Sequence, residues 1–82
     1  MYTVSFVKNQ LEQYGEKNKC NIGRINISSH KDKQNNKYHI FEIETSDKEE
    51  LKNLITNHFS DDFYTYTIDI GDKFTFKIYG LI

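Results

Sequence analysis

The residues of this 82-residue chain with chemical capacity are one cysteine, Cys20, three histidines, His30, His39 and His58, and twelve carboxylates. A zinc site draws its Cys and His ligands in pairs about two to four residues apart, so that one turn presents both to the same ion. No two of these Cys and His residues lie that close. A metal would need ligands from four distant segments, so no metal and no cofactor is expected. His58, followed by Asp61 and Asp62, imitates an acid–base dyad, but its place on the apolar arc of a helix reads more simply as a packed or rim histidine. Lys17 and Lys19 beside Cys20 would favour a thiolate. No His or Asn spacing supports a cysteine nucleophile, and a small core residue is the simpler reading. The four glycines, Gly15, Gly23, Gly71 and Gly80, are scattered and make no phosphate loop. The chain reads as a non-enzyme.

Charge offers two binding surfaces. The net charge of −1 gives no global attraction to nucleic acid or to an anionic membrane. Its distribution is uneven, with seven bases and three acids over residues 1–37, then four bases and nine acids over residues 38–82. The acids Glu49, Glu50, Asp61 and Asp62, with Tyr38 as an aromatic anchor, read as a surface that docks on another protein. Small acidic proteins of that kind include inhibitors, immunity proteins and anti-defence proteins of phage or mobile elements. Glu49 and Glu50 also have a local reason, at the positive end of a helix dipole, whereas Asp61 and Asp62 sit at the wrong end for it. The alternative is a small nucleic-acid-binding module in which a tip with His30, Lys31, Lys33 and Lys37, adjoining Arg24, takes phosphates and Tyr38 stacks a base.

Length bounds the rest. A chain of 82 residues supports one domain, 1–82, with one thin core. Cys20 has no partner for an intramolecular disulfide, no run of about 18 apolar residues exists, and the start lacks the pattern of a secretory signal. A cytoplasmic protein without a membrane segment is the expectation. Aromatic residues, 15% of the chain and none of them Trp, must carry much of the core.

The elements that would position these groups follow from periodicity. Ser46 and Glu49 form a capping box, and Leu51, Leu54, Ile55 and Phe59 recur at helical steps, predicting a helix over 46–59. Val4, Val7, Leu11 and Tyr14 predict a first helix closed by Gly15. A competing reading makes residues 2–7 a strand. Strands are predicted over 20–29, with a bulge at Gly23 that returns Ile22 to the core side, and over 37–45. The polar stretch from His30 to Asn36 is their connecting tip. In the second strand His39, Phe41 and Ile43 share one face and Tyr38 and Ile40 the other, the mark of an inner strand or of an exposed patch at Tyr38 and Ile40. Two more strands, over 63–70 and 74–79, meet at Gly71–Lys73. A three-residue turn there would place Ile70 across from Phe74 and gather all apolar residues on one face, and it is preferred over a two-residue turn on that ground. The order is αββαββ, an α+β fold with an antiparallel sheet of about four strands and helices on one face. If residues 2–7 are a strand, the order approaches a β-grasp-like or ferredoxin-like one. Such analogies carry no activity.

Overall fold

The computed structural model describes residues 3–59 and 65–81; for His58, Phe59 and Thr65–Ile70 the description is of the backbone. Two helices and an antiparallel sheet make a mixed α+β fold. The elements are α1 (Val4–Lys17), β1 (Ile25–Lys31), β2 (Lys37–Glu44), α2 (Lys48–Phe59), β3 (Thr65–Ile70) and β4 (Lys73–Tyr79). The sheet order is β1-β2-β4-β3, every neighbouring pair antiparallel. The short dimension of the molecule, 19 Å, is that of one helix layer on one sheet.

The first helix forms because its start is capped and one stripe is apolar. Thr3 is extended, and its hydroxyl accepts a hydrogen bond from Phe6 N at 3.1 Å. Val7 and Leu11, four apart, are fully buried. Cap and stripe override the β propensity of Thr3–Val7, which removes the strand that a β-grasp-like or ferredoxin-like order would need there. The cost is Phe6, off the stripe and 42% exposed.

Gly15 does not close this helix. It is helical and buried, and α1 continues to Lys17, after which Lys19 takes the left-handed conformation at φ 55°. A Cβ on Gly15 would lie 2.7 Å from Ile22 Cδ1. This glycine lets the chain after the helix pass close to it, a need that sequence-local helix-stop signals do not report.

That passing segment, Cys20–Arg24, is irregular, so β1 starts at Ile25 instead of residue 20 and ends at Lys31 instead of residue 29. No bulge at Gly23 is required. Ile22 packs against the core from outside the strand. Several bonds tie the segment to the start of α2. Asn21 N donates to Asp47 Oδ2 at 2.7 Å, Asn21 Nδ2 to Ser46 Oγ at 3.0 Å, and the buried Thr45 hydroxyl to Asn21 O. With α2 beginning at Lys48, Ser46 is engaged by Asn21, and the predicted capping box gives way to this longer-range clasp.

The core lies between the helices and the two central strands. Phe41 and Ile43 of β2 and Phe74, Phe76 and Ile78 of β4 are at most 1% exposed, and Val7, Leu11, Leu51 and Ile55 close over them. Phe41 is paired with Phe76 in the ladder, with centroids 5.0 Å apart and planes 15° apart. Stacked pairs of this kind add about 0.5–1.5 kcal/mol beyond burial.

The second hairpin departs from expectation. Ile70 pairs with Lys73, Ile68 with Thr75 and Tyr66 with Lys77, so the turn is the two-residue Gly71–Asp72 and not the three-residue loop preferred on burial grounds. Gly71 has φ 58° while Asp72 is not left-handed, the pattern of a II′ turn with glycine first. Since β2 and β4 already supply the sheet's share of the core and β3 is an edge, turn geometry sets this register.

Candidate functional site

The outer face of the sheet, opposite the helices, carries a row of rings at its hairpin end. Antiparallel pairing sets His30 of β1 across from Tyr38 of β2, and Tyr38 across from Tyr79 of β4. Residues that face each other in a ladder share a side of the sheet. The rings of His30 and Tyr38 are 5.4 Å apart and nearly parallel, at 21°; those of Tyr38 and Tyr79 are 5.3 Å apart and tilted by 46°. Lys77 places its Nζ 4.7 Å from the Tyr38 centroid and 5.5 Å from that of Tyr79. His30 is exposed and shares a 2.9 Å hydrogen bond with Ser28 Oγ, while Tyr38 and Tyr79 are half-buried.

The loop beyond this row is ordered by Asp32. Its Oδ1 accepts from Gln34 N at 2.9 Å and Asn36 N at 2.8 Å, and Asn35 is left-handed at φ 68°. These bonds, that with Asn36 first, hold the Asp32 carboxyl below its ordinary range. The lysines around it have no such local engagement. Lys31 and Lys37 are paired directly across the ladder, both exposed, a like-charge juxtaposition that costs stability. Among the described residues no ion pair involves Lys31, Lys33 or Lys37. Among the described residues, Lys31, Lys33 and Lys37 share this end with one carboxylate, Asp32; strand alternation puts Lys31 and Lys37 on the helix side of the sheet and Lys77 on the side of the rings.

Of the residues read as phosphate-binding, Lys31, Lys33, Lys37 and Tyr38 come together here. Arg24 does not. It sits at the far end of the ladder, where its carbonyl accepts from Glu44 N at 3.0 Å. Lys77 and Tyr79 were missed as site members, while His30, read as part of the basic tip, joins the rings instead. The alternation of β2 and β4 could have found Tyr79 and Lys77, but only pairing of β2 with β4, which are separated by α2 and β3, puts them beside Tyr38.

Of the acidic set, Glu49 and Glu50 lie apart from Tyr38. Glu49 and Glu50 are exposed in the first turn of α2. That turn follows the opposite end of β2 from Tyr38, about 20 Å away at 3.3 Å per residue. Lys48 and Lys52 share the start of the helix, and Glu42 faces Lys73 across the outer face at 3.5 Å. Asp61, Asp62 and the His58 side chain lie outside the described residues.

Cys20 is buried beside Asp47 and Glu50, with one ligand-type atom from each within 4.8 Å of the others, a grouping no sequence spacing announced. Burial first, then the Asp47 and Glu50 charges, push its thiol up, the reverse of what a nucleophile or a thiolate ligand needs. Its Sγ lies 3.8 Å from Asp47 O, and Asp47 is committed to Asn21 N. The grouping is accounted for by the clasp. A groove of about 550 Å³ beside it is lined by Lys8, Arg24, Glu12 and Glu16, whose opposed charges define no ligand class.

Among the described residues no helix is long and apolar enough to cross a membrane. No protein-family model, no curated protein and no solved structure matches this chain, so its function is argued from the geometry of the outer face.

Proposed function

We propose that this chain is a small non-enzymatic nucleic-acid-binding domain that works through the hairpin end of its outer sheet face. The observation that carries the reading is a row of rings, His30, Tyr38 and Tyr79, on the outer face with Lys77 over two of them, at the end of the sheet that also carries Lys31, Lys33 and Lys37. Rings supply stacking surfaces worth about 1–3 kcal/mol per base, and lysines supply phosphate contacts. A net charge of −1 does not oppose this, because the potential at a surface is set within about 10 Å by the local charges. The Cys20 thiol, pushed up by burial and by the Asp47 and Glu50 charges, is not set up as a nucleophile. The test is binding of labelled oligonucleotides at several salt concentrations. Neutralising Lys31 and Lys33 together should weaken binding alike across sequences and reduce the salt slope by roughly one unit per lost phosphate contact. Unchanged binding and slope would remove the reading.

A second reading keeps a protein partner, of inhibitor, immunity or anti-defence type, on the acidic start of α2, where Glu49 and Glu50 stand adjacent and exposed. Reversing both to Lys should then abolish capture through a slower on-rate, with Lys31 and Lys33 without effect.

A further inference from the structure

We infer that the occupant of the outer face is a single strand that crosses the β-strands at the level of Tyr38 and sets successive bases against His30, Tyr38 and Tyr79; this rests on the nucleic-acid reading above. The three residues are consecutive partners across β1, β2 and β4, so their rings run perpendicular to the strands. The steps along the row are 5.4 Å and 5.3 Å. Bases stacked in a duplex repeat every 3.4 Å or so along each strand and turn their faces to one another. A duplex can therefore offer this row only phosphates. A strand stretched to steps above 5 Å has opened its own stacking, and its base faces are free to lie on aromatic rings.

Charge favours the same occupant. Lys77 sits over two of the rings, Tyr38 and Tyr79, and its flexible side chain must swing off those faces for bases to stack there, which turns its charge to the phosphates of the same strand. Lys31 and Lys37, opposed across the ladder one step beyond His30 and Tyr38, alternate to the helix side of the sheet, and this like-charge pair favours an anion that rounds the hairpin end. The described carboxylates of the outer face, Glu42 and Glu44, lie toward the other end, where Lys73 pairs with Glu42 at 3.5 Å. Because every base has a π-face and the site offers rings and cations, recognition is tolerant of sequence and selective for the unpaired state.

The probes are oligothymidylates of increasing length, a duplex of mixed sequence and inorganic polyphosphate, with quenching of the intrinsic fluorescence of the Trp-free chain as readout. Single strands should bind more tightly than duplex and quench tyrosine emission. Tyr38→Leu should lose at least about tenfold in affinity, and Tyr38→Phe should bind like the parent. Equal competition by duplex, single strand and polyphosphate, with Tyr38→Leu unaffected and the Lys31/Lys33 variant impaired, would overturn stacking while leaving phosphate binding intact. No binding of any probe at low salt would overturn both readings. Should Tyr38→Leu fail to fold by circular dichroism, the parent decides: quenching by single strands but not by duplex supports the inference, and equal or no quenching overturns it.

Discussion

Tyr79 donates its hydroxyl hydrogen bond to Asp32 Oδ2 at 3.3 Å, linking the end of the last strand to the tip of the first hairpin. The same carboxylate bonds Gln34 N and Asn36 N, so one side chain fixes the loop and steadies one ring of the aromatic row.

Asp32 should give the protein an acid-sensitive element. Its carboxyl is held below the ordinary 3.8, first by Asn36 N, so the folded state binds its proton less readily than the unfolded chain. That contribution is complete above pH 3.8 and is lost as pH falls through the lower folded value. Asp32→Asn should unfold at lower urea at neutral pH and show a flatter stability profile below pH 4. A profile parallel to that of the parent would contradict the assignment.

His39 acts in the same direction at higher pH. It is 4% exposed, its Nδ1 has no partner among the described residues, and burial, then Lys37 and His30, press its pKa below the ordinary 6.5. The unfolded chain takes up a proton near 6.5 that the folded state refuses until lower pH, so stability declines as pH drops through that window. His39→Phe should abolish this decline at neutral or favourable cost at pH 7, since an orphaned buried polar atom is removed. Urea titrations across the window for parent and variant measure it.

Gly15→Ala should destabilise although alanine gains about 1 kcal/mol of helix propensity. The new methyl would meet Ile22 Cδ1 at 2.7 Å and Cys20 O at 3.2 Å. Overpacking of that kind costs about 1–3 kcal/mol, for a net loss of up to about 2. In thermal melts Gly15→Ala and Ile22→Ala should be non-additive, the second partly rescuing the first; strict additivity would show that the contact is not limiting.

The two-residue turn makes Gly71 a conformational requirement. Nothing lies within 4 Å of a Cβ added there, and φ is +58°, so any cost is that of the left-handed conformation. Gly71→Val should lose about 1–2 kcal/mol and Gly71→Asn distinctly less, because Asn tolerates this region. Equal losses would argue for another turn. Urea midpoints of the two variants decide.

What the sequence determined by itself is the set of elements and the inward face of each central one. Val7 and Leu11, Leu51 and Ile55, and the alternating residues of β2 and β4 are buried because periodicities of 3.6 and 2 are local properties that any globular chain must satisfy. Lys31, Lys33, Lys37 and Tyr38 were legible as a group because they are contiguous. What only the tertiary structure decided are relationships between segments far apart in sequence. Strand order put Tyr79 and Lys77 beside Tyr38 and sent Arg24 to the other end; the passage of Ile22 over Gly15 extended α1; Asn21 drew Ser46 away from its cap; and an edge position let the Gly71 turn set the register of β3. Each of these is a contact whose energy depends on which segment arrives there, and one-dimensional spacing carries no information on arrival.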